Sequence, residues 1–196
     1  MLRIIAGKYK NMVIPIVKNA SYRPSTGQLR EGIFNILTSG KIVPLNYLQN
    51  SLVLDIFSGT GSLGFEALSR GAKTICFIDI NRSHLETAQQ FSTKIERIQD
   101  TKFLCLDAQN LPHPVEQYNL IFLDPPYYSR NLITKSLESL VSQNWIKDNA
   151  IIIIESSKIE DIILPNTNKL ERIMERVYGS SKILILRYSN IIELMK

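Results

Sequence analysis

The tetrapeptide Asp124-Pro125-Pro126-Tyr127 follows directly after an apolar run at residues 118–123. Proline has no N–H for a sheet ladder and fixes φ, so the backbone after this run is stiff and its carbonyl groups are held outward. The Asp124 carboxylate and the Pro125 carbonyl can each accept a hydrogen bond from a primary amine. Such acceptors suit the exocyclic amine of a nucleobase, because they draw the nitrogen toward tetrahedral geometry and free its lone pair for attack on a methyl group.

Tyr127 extends this interpretation, since its ring offers a face on which a flipped base can stack. The four residues therefore predict methylation of an amine on a planar base. A rigid turn at a strand end is the alternative. The order of motifs weakens that alternative, because a nucleoside-binding pattern precedes the tetrapeptide along the chain.

That pattern is a glycine-rich loop between an apolar run and the start of a helical segment. Gly59, Gly61 and Gly64 satisfy the spacing G-x-G-x-x-G, in which glycine permits a tight turn and a close approach of the backbone to a ligand. Asp79 ends the next apolar run, where a carboxylate can accept hydrogen bonds from ribose hydroxyls. These features alone fit a dinucleotide as well as any other nucleoside.

Two further acids favour S-adenosylmethionine over a dinucleotide. Asp55 lies just before the loop, where its charge would oppose a pyrophosphate but attract a cationic amino-acid group. Asp107 ends the third apolar run, where it could accept a hydrogen bond from an adenine amine. S-adenosylmethionine carries a sulfonium, an ammonium, a ribose and an adenine, so acids at three successive strand ends suit it. The predicted cofactor contacts are Asp55, Phe57, Ser58, Gly59, Thr60, Gly61, Gly64, Asp79, Ile80, Asp107 and Ala108.

Positive charge is concentrated in the first fifty residues, which hold seven lysines and arginines and the single acid Glu31, whereas the whole chain carries a net charge of +5. This segment predicts a polyanionic partner, and Tyr9 and Tyr22 could stack on its bases. Arg23 has an alternative role, because beside Pro24 it could pair with Glu31 and hold the segment to the core. The predicted RNA contacts are Lys8, Lys10, Arg23 and Arg30.

The order of predicted elements indicates an α/β fold of the Rossmann-like class I methyltransferase type. From residue 51 onward, near-continuous apolar strands alternate with helices, which is typical of a parallel sheet covered on both faces. Residues 172–178 and 182–188 flank Gly179-Ser180-Ser181 and predict an antiparallel hairpin at the sheet edge, giving seven mostly parallel strands. Residues 1–50 predict a small basic extension of hairpin and helix for RNA contact, and residues 51–196 the methyltransferase domain.

Composition excludes several other classes of protein. No apolar stretch is long enough to span a bilayer, and the amino terminus lacks the apolar core of a signal peptide, so we expect a cytoplasmic protein. Cys76 and Cys105 each lie in an apolar run and predict buried thiols. Scattered histidines and cysteines offer no metal-ligand spacing, so no metal is expected. We also expect a monomer.

Taken together, these motifs resemble class I S-adenosylmethionine-dependent amino-methyltransferases, and more narrowly the bacterial family that methylates the N2 amine of a guanine in 16S ribosomal RNA. The resemblance rests on "RIIAGKYKN" at 3–11, "RPSTGQLREGIFNIL" at 23–37, "VLDIFSGTGSLGFEALSRGA" at 53–72, "DPPY" at 124–127 and "YGSSKILILRY" at 178–188. It implies a substrate in a partly assembled small ribosomal subunit and no metal. Gly32 departs from the family pattern, which usually has alanine or a similar residue there.

Three other functions remain open from the residues alone. A DNA adenine or cytosine amino-methyltransferase could carry the same tetrapeptide, although such enzymes usually need a target-recognition domain. A dinucleotide-dependent oxidoreductase is opposed by Asp55 and by the tetrapeptide. A non-catalytic RNA-binding assembly factor is opposed by the competent residue at every position given a catalytic or cofactor role.

Overall fold

A computed structural model describes residues 2–17, 26–126 and 131–190 of the chain. These residues build a seven-stranded sheet in the order β3-β2-β1-β4-β5-β7-β6, together with four α-helices. The strands are β1 Leu52–Ile56, β2 Thr74–Asp79, β3 Thr101–Cys105, β4 Tyr118–Leu123, β5 Ile146–Ser157, β6 Leu170–Tyr178 and β7 Ser181–Tyr188. The helices are α1 Gly27–Thr38, α2 Ser62–Ser69, α3 Arg82–Lys94 and α4 Leu132–Ser142, with short 3₁₀ turns at Leu48–Asn50 and Ile98–Asp100. The predicted α/β fold is confirmed.

Strands β1 to β5 run parallel to one another, and β7 pairs antiparallel with both β5 and β6. The predicted carboxyl-terminal hairpin is therefore present, with its second strand placed inside the sheet and its first strand at the edge. Two hydrophobic clusters cover the two faces. One contains side chains of α1, α2 and α3, and the other contains side chains of α4.

The predicted amino-terminal hairpin is reduced to a single antiparallel bridge between Arg3 and Val13. Backbone hydrogen bonds such as Ile14 N–H to Leu2 O, at 3.0 Å, hold the two arms together without regular strands. Apolar residues of this segment share one cluster with helix α1 and the sheet, so the described part of the first fifty residues packs into the core of the sheet domain. The ring of Tyr9 is buried there, which contradicts its predicted role in stacking on RNA bases.

Helix α2 fastens this amino-terminal segment to the rest of the molecule. Glu66, which is 0% exposed, accepts hydrogen bonds from the backbone N–H groups of Ile5 at 2.7 Å and Ala6 at 3.0 Å. Ser69, one turn further along, accepts from Tyr9 N–H with its hydroxyl at 2.9 Å. Gly7 lies between these contacts with a φ of +85°, and an added Cβ would lie 1.9 Å from the Ser69 carbonyl oxygen. The chain therefore needs glycine at this point of closest approach.

The structure explains why Gly32 departs from the expected residue type. A Cβ at Gly32 would lie 2.7 Å from ring atoms of Tyr178, so the tyrosine of β6 rests directly against the backbone of helix α1. Glycine costs about 1 kcal/mol in a helix interior, and close packing of this ring accounts for its presence. A second expectation fails, because Cys105 is exposed and only Cys76 is buried.

The part of the chain that the structure describes contains no candidate membrane span and no candidate metal site. None of its helices combines the length and apolar character that a bilayer span requires. Within the same residues, no group of three or more histidine, cysteine, aspartate or glutamate side chains is placed to hold a metal ion.

Candidate active site

The candidate site lies where the chain reverses its direction of travel across the sheet. The chain proceeds outward from β1 to β2 and β3, then returns to place β4 on the other side of β1. In such sheets, ligands bind outside the carboxyl ends of the strands at this switch point. The loop after β1 and the segment after β4 are therefore neighbours, and the N–H of Asp124 points to the carbonyl of Ile56 at 3.4 Å.

The predicted catalytic tetrapeptide lies at this point. Asp124 is half-buried, Pro125 is buried, and Pro126 is exposed. The sequence predicts that a carboxylate followed by a rigid proline holds an amine. In the structure Asp124 lies at the boundary between core and solvent, and the proline after it is buried. Tyr127 lies outside the described residues, and its stacking role stays a prediction.

The glycine loop turns tightly from β1 into helix α2. Gly59 and Gly61 have positive φ values of 54° and 87°, and Gly61 is the residue before the first helical position of α2. A Cβ at Gly64 would lie 2.3 Å from the ring of Phe77 on the neighbouring strand β2. Glycine at the third position is thus required for helix-to-strand packing, and the first two glycines permit the tight turn between β1 and α2.

Three other predicted contacts belong to the same loop. Phe57 is half-buried and has a φ of 60°, a left-handed conformation that is uncommon outside glycine. The Ser58 N–H donates to the Ile78 carbonyl of β2 at 3.1 Å, which ties the loop to the adjacent strand. Ser58 and Thr60 are both buried. The loop therefore has one fixed shape that the core supports.

Asp79 at the end of β2 is bound to this loop. Its carboxylate accepts from Gly59 N–H at 2.7 Å and from Asn81 N–H at 2.8 Å, and Nδ1 of His84 lies 3.5 Å away. These contacts set the orientation of the carboxylate at the carboxyl edge of the sheet. The assignment of Asp79 to a ribose stays a prediction.

Replacing Asp79 with alanine should weaken binding of S-adenosylhomocysteine at least tenfold. The variant loses one or two charge-assisted hydrogen bonds to the ribose, each worth about 1.5–3 kcal/mol. It also loses the hydrogen bond that orients Gly59. Calorimetric titration measures the affinity, and Glu86→Ala, on the exposed side of α3, is the matched control. Unchanged affinity in the Asp79 variant would contradict the assignment.

Asp55 is placed differently from the expectation that it would face the ligand. Its side chain is 1% exposed, and Oδ2 accepts from Gly64 N–H at 2.9 Å. The carboxyl group therefore joins β1 to the first turn of helix α2 beneath the loop. Burial raises the pKa of Asp55 to about 7, and the hydrogen bond from Gly64 opposes this rise only in part.

The raised pKa of Asp55 predicts a pH-dependent contribution to stability. Between about pH 4 and pH 7 the native state holds a proton on Asp55 that the unfolded chain has released, so stability from this group falls as pH rises through that window. Asp55→Asn removes the titration while keeping an acceptor for Gly64. The free energy of unfolding of the variant minus that of the wild type should therefore increase from pH 4 to pH 7. A difference independent of pH, measured by urea denaturation, would contradict this.

An exposed isoleucine and a half-buried aspartate lie on the predicted adenine side of the site. Ile80, directly after β2, is 76% exposed, and its predicted contact with the adenine ring stays a prediction. Asp107 lies beyond the neighbouring strand β3, where the backbone N–H of Gln109 donates to its carboxylate at 2.9 Å and lowers the pKa of Asp107. Ala108 is buried beside it. The carboxylate is thus held in place by this local hydrogen bond and favoured in its ionised form.

The predicted RNA contacts are not all brought to this edge. Lys8 and Lys10 are exposed, but Lys8 N–H donates to the carbonyl of Ser69 at 2.7 Å, so the loop lies at the far end of α2, about 12 Å along the helix from its glycine loop. Arg30 is 3% exposed and donates to the Arg3 carbonyl at 2.9 Å. The prediction that Arg30 binds RNA is therefore wrong. Arg23 lies outside the described residues.

One acidic residue near the site was missed at the level of sequence. Leu123 of β4 lies opposite Ile154 of β5, so the next residues along the two strands are Asp124 and Glu155. Glu155 is 4% exposed. The available signal was a glutamate at the end of a run of four isoleucines, where an apolar strand meets the carboxyl edge of the sheet.

Comparisons with known proteins agree with this architecture. The family described as conserved hypothetical protein 95 matches residues 2–187. A ribosomal RNA small subunit methyltransferase D from Buchnera aphidicola is 34% identical over 191 residues, with 97% of this chain and 92% of the relative covered. A solved structure from Escherichia coli, described as a candidate methyltransferase, is 25% identical with a TM-score of 0.80, covering 96% of this chain and 98% of the other.

A more distant structure shares the fold. The RNA methyltransferase from Salinibacter ruber in complex with S-adenosylhomocysteine is 10% identical, with a TM-score of 0.63 and coverage of 87% of this chain and 96% of the other. The fold, the family match across nearly the whole chain and the identity to the Buchnera protein all agree. The chain belongs to the conserved hypothetical protein 95 family, the family of the small-subunit ribosomal RNA methyltransferase D proteins.

Proposed function

We propose that this protein transfers a methyl group from S-adenosylmethionine to the N2 amine of a guanine in 16S ribosomal RNA. The observation that carries the proposal is the juxtaposition of Asp124 with the end of β1, where the glycine loop begins. Family membership supports an RNA substrate of the small subunit, because relatives carry that activity in their names. The proposed setting is the cytoplasm, and the proposed acting form is a monomer.

The residues of the chain suit this chemistry. S-adenosylmethionine supplies a methyl group on a sulfonium. The glycine loop and Asp79 would hold its nucleoside. The Asp124 carboxylate and the Pro125 carbonyl would accept hydrogen bonds from the two N–H groups of the guanine N2 amine. S-adenosylmethionine would supply its methyl carbon to the nitrogen lone pair with loss of the carbon–sulfur bond, so the products would be S-adenosylhomocysteine and a positively charged amine. That amine loses one proton to Asp124 or to water, and positioning of its acceptors contributes much of the rate.

Turnover tests the proposal directly. The protein is incubated with labelled S-adenosylmethionine and either naked 16S RNA or small subunits that lack the modification, and the RNA is digested to nucleosides. We expect label in N2-methylguanosine. Label in methylated adenosine or cytidine would contradict the guanine assignment, and transfer to DNA in place of RNA would favour the alternative amino-methyltransferase. No transfer to any nucleic acid would favour a non-catalytic assembly factor.

The amino-terminal segment, residues 1–50, is proposed to contact RNA away from the reacting base. Replacing Lys8 and Lys10 with alanine should weaken RNA binding and reduce the slope of log affinity against log salt by roughly one unit for each lysine–phosphate pair that is removed. Affinity for S-adenosylhomocysteine should not change, because α2 separates the two regions. Filter binding at several salt concentrations measures the slope, and an unaltered slope would remove both lysines from the RNA interface.

A further inference from the structure

A groove of about 340 Å³ lies between helix α1 and strand β6, outside the candidate site. One wall is the solvent-facing side of helix α1, and the other is formed by the side chains of edge strand β6 that face this helix. The lining includes two amides, two cations, one acid and an aromatic ring, namely Gln28, Asn35, Lys41, Arg176, Glu31 and Tyr178. Nothing in the proposed chemistry uses these side chains.

The charged groups of the groove are available to a ligand. Within the described part of the chain, neither the Lys41 ammonium nor the Arg176 guanidinium takes part in a salt bridge or a side-chain hydrogen bond. Nearby β6 and β7 residues do form such contacts, for example Lys182 with Glu175 at 3.7 Å. With these two cations and the single acid Glu31, the lining of the groove carries a net positive charge. That charge favours an anion.

The aromatic and amide groups narrow the class of anion. Tyr178 is half-buried against α1, since Gly32 lets the ring lie on the helix backbone, and the ring also lines the groove. A ring, two cations and the amides of Gln28 and Asn35 form the set that single-stranded nucleic acid uses, with bases stacked on the ring and phosphates paired to the cations. A free phosphate would need neither the ring nor the amides.

The Tyr178 end of the groove lies at the same edge of the sheet as the candidate site. The Lys41 end lies toward the opposite edge, because the carbonyl of the next residue, Ile42, accepts from Arg187, which pairs with Ile151, six residues before the end of β5. Tyr178 lies opposite Ser181 at the hairpin, and Ser181 lies opposite Ser157, the last residue of β5. β6 is three strands away from β4, so the groove lies about 14 Å from the strand that ends at Asp124. An RNA strand that places one base at Asp124 could extend along this edge into the groove.

We propose that the groove between α1 and β6 binds a single-stranded segment of the substrate RNA that flanks the methylated nucleotide. This inference rests on the proposed function for the identity of the RNA. It assigns Lys41 and Arg176 to phosphates and Tyr178 to a stacked base. It also gives the protein a second RNA contact surface, which begins at the catalytic edge with Tyr178 and is distinct from the loop of Lys8 and Lys10.

The test compares charge-matched double variants on small subunits that lack the modification and on naked 16S RNA. For Lys41→Gln with Arg176→Gln, the slope of log affinity against log salt should fall by about 1.4, since each single-strand phosphate contact contributes about 0.7. The control pair, Lys94→Gln with Lys147→Gln, makes the same change in net charge on α3 and at the start of β5 and should leave the slope within error. Equal effects of the two pairs, or no effect of the groove pair, would overturn the proposal.

Stacking is tested at Tyr178. Tyr178→Ala should raise KM for the RNA about tenfold with kcat within twofold, whereas Tyr178→Phe, which keeps the ring, should match the wild type. Equal KM values for the alanine variant and the wild type would overturn the stacking role.

RNA affinity is measured separately from turnover, so a chain that binds the RNA but never methylates it contradicts the proposed function alone. RNA affinity untouched by every groove variant contradicts this inference alone, and a protein partner would become the occupant to seek.

Discussion

Replacing Asp124 with alanine should lower the single-turnover rate of methyl transfer by about 10²–10³-fold, the common effect of removing one preorganised hydrogen-bond partner of the transition state. The half-buried carboxylate lies beside the end of β1, where the target amine would meet the methyl group. Its acceptor is most useful as the nitrogen becomes tetrahedral, so the loss should appear in the chemical step. Affinity for S-adenosylhomocysteine should stay within a few-fold of the wild type.

The control for this prediction is Asp124→Asn, which retains a carbonyl acceptor in nearly the same shape and should lose less activity than the alanine variant. Single-turnover assays with saturating enzyme separate chemistry from RNA binding and product release. A rate above about one tenth of the wild type for Asp124→Ala would contradict the catalytic role, given the usual size of such a contact. Equal losses in the asparagine and alanine variants would indicate that negative charge, and not acceptor geometry, is the essential property.

Replacing Glu66 with alanine should reduce the free energy of unfolding by about 3–5 kcal/mol, the usual cost of removing one partner from a buried charged pair. The carboxylate is 0% exposed and binds Arg70 Nε at 2.7 Å as well as two backbone N–H groups of the amino-terminal segment. Its removal leaves a largely buried guanidinium and two backbone donors without their acceptor. The amino-terminal segment should loosen at the same time around Ile5 and Ala6, because Glu66 accepts both of their backbone N–H groups, whereas Ser69 still holds Lys8 and Tyr9.

A surface pair of the same chemistry provides the comparison. Glu86 pairs with Arg82 four residues away on α3, but both side chains are largely exposed, so Glu86→Ala should cost no more than about 1 kcal/mol. Urea denaturation measures both variants. Hydrogen exchange at Ile5 and Ala6 should accelerate in the Glu66 variant and stay unchanged in the Glu86 variant. Wild-type stability of Glu66→Ala would show that the segment is held by its apolar contacts alone.

Local patterns in the sequence were sufficient for the strands and the loops that carry chemistry. The apolar run at 118–123 matches β4 residue for residue, and β2 ends at Asp79, where the sequence predicts the end of an apolar run. Apolar periodicity, glycine spacing and proline stiffness act over a few residues, so they can be interpreted without knowing the rest of the fold. For the same reason the tetrapeptide after β4 and the glycine loop after β1 could both be placed at strand ends in advance.

The burial of charged and aromatic residues depended on contacts between distant parts of the chain. Arg30 and Tyr9 look like RNA contacts in a basic segment, yet both are buried, because the first residues fold back onto α1 and α2. Asp55 lies at a strand end as predicted, but the packing of α2 covers it and raises its pKa.

Gly32 became intelligible only through Tyr178, almost 150 residues away in sequence. The sequence determined which elements form and where the reactive groups lie along them, because propensity and periodicity are local properties. Tertiary structure decided which of those groups face solvent. Burial depends on what packs over a residue, and the covering residues come from elsewhere in the chain.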